Sequence, residues 1–207
     1  GKDVESAALR KISINPGHRQ EFWHRNCVAV GMSAGFLEPL EASALVLVEL
    51  SAEMLSEQLP VTRDTMDIVA RRFNEKFRYR WDRVIDFLKL HYVLSERRDT
   101  DFWVENRDEQ SIPDSLEELL TLWRRHYPVN ADFSQIGEVF SAASYQYVLY
   151  GMGFETVPGP ATSRPLPDSE AERMFAENAE NTRKMLAGLP SNRKLINTIK
   201  ESGLRAA

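Results

Sequence analysis

The sequence predicts a mainly α chain with a small β element that belongs to a larger α/β fold. Two observations carry this. From Asp64 to about Leu94, apolar residues recur at steps of three or four: Met66, Val69, Phe73, Phe77, Trp81, Val84, Leu88 and Tyr92. That spacing places them on one face of a long helix. Strand-like runs occur only near the start, and two strands do not make a stable sheet alone. Their partners are therefore expected outside this chain.

The elements follow in order. "LRKISI" (Leu9 to Ile14) alternates well enough for a short strand. "NPGH" is a turn, and "CVAVG" (Cys27 to Gly31) is a short β-branched run closed by glycine, read as a second strand. Pro39 lacks an N–H and disfavours helix at the residue before it, so "MSAGFLEPLEA" is a loop. A helix begins near Ala42 or Ser43 and runs to about Leu59. After the long helix, "SIPDSLEELLTLWRRHY" opens with Ser111 or Asp114 as cap. "IGEVFSAASYQYVLYGMGF" is a further helix, ended by Gly151 and Gly153. "VPGPATSRPLPD" is a proline-rich linker, followed by helices over about Ser169–Leu186 and Ser191–Ser202. The domain boundaries read from this pattern are 1–41, 42–156 and 157–207.

Composition narrows the function. A net charge of −5 argues against a general nucleic-acid or anionic-membrane binder. "RRFNEKFRYRW" is basic and aromatic, but reads as a solvated helix face laced with salt bridges. No run reaches the roughly 18 apolar residues that span a bilayer, and no signal peptide is visible. The single cysteine, Cys27, excludes an intrachain disulfide and fits a reducing, cytoplasmic compartment. The four histidines (His18, His24, His91 and His126) show no metal-ligand spacing, so no metal is expected. His91, alone near the end of the long helix, reads as structural.

"GFLEPLEASAL" (Gly35 to Leu45) carries the most chemistry. It sets Glu38 and Glu41 three residues apart in an apolar turn, where carboxylates are costly to bury without partners. Both residues suit the start of a helix, where acids favour the dipole. A carboxylate in an apolar cleft also suits a base or a charge stabiliser. The small residues Ala42, Ser43 and Ala44 let backbone N–H groups approach an anion or cofactor. The local pattern leaves these alternatives open.

Three ordered stretches carry a family resemblance. "NCVAVGMSAGFLEPLEAS" resembles the signature of the flavin-dependent tryptophan halogenases, a Gly/Cys-Phe-(Leu/Val)-Glu-Pro-Leu-Glu turn behind Asn-Cys-Val. "DFLKLHYVLSERRDTDFW" (Asp86 to Trp103) is similar to the family's Asp-Phe-x-x-x-His-(Tyr/Phe) segment, which closes in Phe-Trp. "SYQYVLYGMG" (Ser144 to Gly153) resembles its Tyr-rich helix. The likeness runs from about Asn15 to Leu189 and concerns the family's C-terminal part. Neither a Gly-x-Gly-x-x-Gly fingerprint for FAD nor the family's lysine region occurs here. The resemblance thus implies a C-terminal region of a larger FAD-monooxygenase-like α/β fold. Residues 1–41 would close its flavin-binding part, and the helical remainder would lie on the substrate side.

The resemblance also implies roles. Reduced FAD, O2 and chloride or bromide would supply a halogenating species for an electron-rich, indole-like ring. Glu41 matches the carboxylate that faces the substrate. Ser43 and Ala44 match the residues whose amides hold halide, although the family often has Thr-Gly there. Gly31, Ser33 and Gly35 would approach the flavin, while Glu38 and Pro39 build the turn. Val139, Phe140 and Ser144 match substrate-side positions, and Phe140 and Tyr145 are candidate pocket residues, with core packing as the alternative for both. Aromatic stacking and polar recognition are reduced there, so free tryptophan is expected to be a poor substrate.

The implied partners are a small aromatic substrate, a flavin reductase and the N-terminal part of the same protein. A homodimer is compatible with this picture. The chain by itself is expected to be inactive. The other readings are a non-catalytic helical binding module and a hydroxylating flavin monooxygenase.

Overall fold

A computed structural model describes residues 12–135, 137–157, 159 and 167–203. They form two compact units that divide after Gly159.

The first unit begins with two nested ladders. β1 (Gly17–His18) pairs antiparallel with β4 (Gly35–Phe36), and β2 (Trp23–His24) pairs antiparallel with β3 (Cys27–Val28) inside it. The expected Cys27–Gly31 strand is therefore only two residues long. Its partner is the equally short β2, and Gly31 starts a 3-10 turn (Gly31–Ser33) instead. Of the expected Leu9–Ile14 strand, residues 9–11 lie outside the described residues, and Ile12–Ile14 are not in a strand. Gly35 cannot carry a side chain. A Cβ there would stand 2.7 Å from His18 Cβ and 2.8 Å from the Gly17 carbonyl oxygen.

α1 (Ser43–Gln58) starts where the sequence places it. α2 (Arg63–Leu94) is the spine, roughly 48 Å long at 1.5 Å per residue. Along it Ala70, Phe73, Phe77, Trp81 and Val84 are buried against Phe22, Trp23 and Leu47. Its second half turns Phe87 and Leu90 into another core with α4 (Asp114–Trp123) and α5 (Ala142–Gly151). Between them lies the short α3 (Asp101–Glu105), whose Phe102 and Trp103 pack edge-on against Tyr92.

The caps differ from expectation in two places. Pro113, not Ser111 or Asp114, occupies the N-cap of α4, and no side chain caps it. Ser111 instead bonds the Glu105 and Asp108 carbonyls. α5 begins at Ala142 because Ser141 caps it, accepting a hydrogen bond from the Ser144 amide. Gly137, at φ 86°, is already off the helical path.

Polar groups fasten the spine to the ladders. Buried Asn74 accepts hydrogen bonds from the Phe22 and Trp23 amides at 2.8 Å each and donates to the Trp23 carbonyl at 2.9 Å. The "RRFNEKFRYRW" stretch is thus two-sided: Phe73, Asn74, Phe77 and Trp81 face inward, and Arg71 pairs with Glu75 outside.

The second unit holds α6 (Asp168–Gly188) and α7 (Asn192–Ser202). Arg173–Glu177 and Lys184–Glu180 pairs brace α6, and Ser191 caps α7. Most of the linker from 158 to 166 lies outside the described residues. Among the described residues no helix is long and apolar enough to cross a membrane, and no cluster of metal-ligating side chains occurs.

Candidate functional site

The loop from Val30 to Ala42 is shaped by its backbone. Gly31 sits at φ 62°, a region open to glycine at little cost. Ser33 Oγ accepts from the Val30 amide and donates to the Val30 carbonyl, so its hydroxyl closes the loop on itself. At the far end Ala42 adopts a left-handed conformation, φ 51° and ψ 29°, as the N-cap of α1. A non-glycine residue there is strained by about 1–2 kcal/mol. No side chain caps α1, so its first amides keep their positive end for other partners.

The two glutamates of the turn go to different partners. Glu38 Oε1 accepts a hydrogen bond from the Tyr92 hydroxyl at 2.9 Å. Burial, with Glu38 adding to it, pushes the Tyr92 pKa up to about 12. Glu41 Oε1 lies 3.2 Å from His91 Nε2. His91 Nδ1 lies 2.7 Å from the Phe87 carbonyl oxygen. Phe87 is buried, stacks on Phe140 at 3.9 Å between centroids, and meets His91 edge-on at 5.1 Å. A line of contacts therefore runs Phe140, Phe87, His91, Glu41.

The same turn borders an apolar groove of ≈ 340 Å3. Gly31, Gly35, Glu38, Ser43 and Ala44 line it, with Trp81 from α2. Glu41 and Ser33 are outside that lining. The turn thus divides its functional groups. Glu38, Ser43 and Ala44 border the groove, while the Glu41 carboxylate meets the α2 histidine.

Of the other sequence-predicted residues, Ser144 takes part in capping α5, its hydroxyl 3.4 Å from Ser141 Oγ. Tyr145 is fully buried between Phe87, Trp123 and Phe133. Burial drives its pKa well above the usual tyrosine value, and its hydroxyl has no hydrogen-bond partner among the described residues. The structure therefore brings Phe140 near the Glu41–His91 pair and holds Tyr145 behind it, in the core.

Sequence reasoning missed three features. They are the His91–Glu41 contact, the Tyr92–Glu38 hydrogen bond and the left-handed backbone of Ala42. His91 and Tyr92 carry the first two. Their side-by-side place in "LKLHY", within a stretch that already carried the resemblance, was the available signal.

A family model described as tryptophan halogenase matches residues 1–168. The chain belongs to the tryptophan halogenase family. Solved structures agree with this halogenase assignment. The tryptophan halogenase of Shewanella frigidimarina is 44% identical with a TM-score of 0.87, over 97% of this chain and 38% of that one. BrvH, a flavin-dependent halogenase from Brevundimonas sp. BAL3, is 31% identical with a TM-score of 0.76, over 94% of this chain and 38% of that one. Tryptophan 6-halogenase ThaL of Streptomyces albogriseolus is 30% identical over 95% of this chain and 39% of its own length. The chain thus spans less than two fifths of these halogenases. Its mainly helical architecture with small β ladders matches the corresponding part of their larger fold.

Proposed function

We propose that this chain is the C-terminal, substrate-side portion of a flavin-dependent halogenase acting on an electron-rich, indole-like ring, with Glu41 as its catalytic carboxylate. The observation that carries the reading is the divided turn: an apolar groove lined by the first residues of the uncapped α1, and a carboxylate outside that lining partnered by His91.

The residues present fit a flat ring system at the groove. Gly31 and Gly35 are among its lining residues, and the lining is nearly all apolar. When bound there, reduced FAD with O2 and chloride or bromide supplies the halogenating species. Gly31 and Gly35 border that group, and Ser33 holds the loop in shape through its own bonds to Val30. The amides of Ser43 and Ala44 attract halide through the helix dipole. Glu41 stabilises the cationic ring and takes its proton. Phe140 supplies an aromatic face on the substrate side and Ser144 a polar group nearby. Tyr145 supports Phe87 and Phe140 from within the core.

Residues 1–41 belong, in this reading, with a flavin-binding region of the same protein, and residues 42–156 form the substrate side. A flavin reductase supplies the reduced cofactor, in a reducing, cytoplasmic setting suited to the free Cys27. An indole-like ring other than free tryptophan is the favoured substrate.

The test uses the intact protein with a flavin reductase, NADH and indole, with and without bromide, reading product mass. A bromide-dependent gain of bromine supports the reading. A hydroxylated product, or none, overturns it. Glu41→Gln is expected to lower kcat at least about 100-fold with the circular dichroism spectrum unchanged. Undiminished turnover would remove the role given to Glu41.

A further inference from the structure

Both ring nitrogens of His91 are engaged, and the two contacts together fix where a proton must lie. Nδ1 faces the Phe87 carbonyl oxygen at 2.7 Å. A carbonyl only accepts, so Nδ1 carries a hydrogen. In a neutral ring Nε2 is then a bare lone pair. It faces Glu41 Oε1 at 3.2 Å. A carboxylate oxygen at that position is also a lone pair, and two acceptors repel. The contact holds only if one proton lies on it, either on Nε2 or on Oε1.

The surroundings keep the ring in this pose. Phe87 is buried and meets the imidazole edge-on, and its own position is fixed by Phe140 and Tyr145. Among the described residues, these titratable groups face this corner. Glu41 comes from the turn before α1, with Glu38 bonded to Tyr92 beside it. Tyr145, from α5, packs on the far side of Phe87. The His91 side chain is 20% exposed and that of Glu41 38%, so the pair has access to solvent.

We infer that His91 is the positioning residue and proton outlet of Glu41, so that the two act as one proton-holding pair. The inference rests on the halogenation reading above. His91 engages Oε1, and Oε2 is the oxygen left for the substrate. With the shared proton on Nε2, Glu41 is anionic. When the halogenated ring carbon loses its hydrogen, the C–H electron pair returns to the ring and the proton goes to Oε2. The pair then holds two protons; the imidazolium releases its Nε2 proton to water, and the carboxyl proton passes to the contact, which restores the starting pair. Atoms and charge balance with no further reactant.

The test has a structural arm and a kinetic arm, both on the intact protein. In the structural arm, 15N-histidine labelling reads which nitrogen of neutral His91 carries hydrogen. The Nδ1–H form is expected, although unconstrained imidazole favours Nε2–H. An Nε2–H form would keep the contact as a plain hydrogen bond without an imidazolium, and it overturns the proton-outlet role. In the kinetic arm, His91→Leu is expected to lower kcat for bromination roughly 10- to 100-fold with KM little changed. His91→Gln, whose amide N–H can reach Oε1, should recover part of that loss. Equal activity in His91→Leu and the unsubstituted protein overturns the role.

The two readings fail separately. If the unsubstituted protein does not brominate indole, the proposed function falls, and the labelling result alone decides the pair. If it brominates and neutral His91 is Nε2–H, only the pair falls.

Discussion

The Tyr92 hydroxyl donates to Glu38 Oε1 at 2.9 Å, joining the last turn of α2 to the apolar loop that precedes α1. This bond settles what Glu38 does in the fold: it moors the turn from which Glu41 projects. Tyr92→Phe removes the donor and keeps the ring packing on Phe102 and Trp103. It is expected to cost about 1–1.5 kcal/mol, measured by urea denaturation. A change below a few tenths would mean that the loop holds itself.

Ala42 is the strained link in the same turn. Its left-handed backbone suits glycine better than alanine, so Ala42→Gly is expected to stabilise the protein by about 1 kcal/mol. Ala42→Val, with a branched Cβ in the same conformation, is expected to lower stability. Thermal unfolding of both variants reads the difference. If glycine gives no gain, the strain is relieved by neighbours.

Asn74 fastens the spine to the β2 backbone with three hydrogen bonds. Asn74→Ala leaves two amides and a carbonyl unpaired in a buried place. The expected loss is about 2–4 kcal/mol. Asn74→Asp keeps the acceptor for both amides but sets a carboxylate oxygen against the Trp23 carbonyl, so it should also destabilise. Chemical denaturation of both variants checks this. A loss under 1 kcal/mol for the alanine would show that water replaces the side chain.

Asp86 makes stability depend on pH. Burial raises its pKa to about 6, against the opposing pull of Arg83 and the Ser115 hydroxyl. The native state then holds a proton that the unfolded chain releases near pH 3.8. This contribution is complete below pH 3.8 and is lost as pH rises through 6. Its full size is about 3 kcal/mol. Glu138 is raised by burial too, with the same sign. Asp86→Asn should therefore flatten, without abolishing, the fall in stability across that window, read as denaturation midpoint against pH. An unchanged slope would mean that Asp86 is ionised throughout.

How far the sequence reached depended on the range of the interaction. The starts of α1 and α2 were legible because helix periodicity and Pro39 act within a few residues. The turn at Glu38 and Glu41 was legible as a motif. Asn74 was not, because its partners lie 51 and 52 residues away and an asparagine inside a basic helix looks solvated. Asp86 was hidden for the same reason: only the packing of α4 against α2 buries it. Tyr145 was weighed between pocket and core, and Phe87, Trp123 and Phe133 enclose it. The late start of α5 turned on Gly137, whose backbone angle a single sequence does not reveal.

α2 belongs to both cores, with Trp81 and Val84 in one and Phe87 and Leu90 in the other. Neither core can come apart without fraying this shared rod. Amide hydrogens around Val84 to Leu90 should accordingly exchange with deuterium only when the whole first unit opens. A ligand seated beside α1 would then be felt as slower exchange at α4 and α5, far from anything it touches.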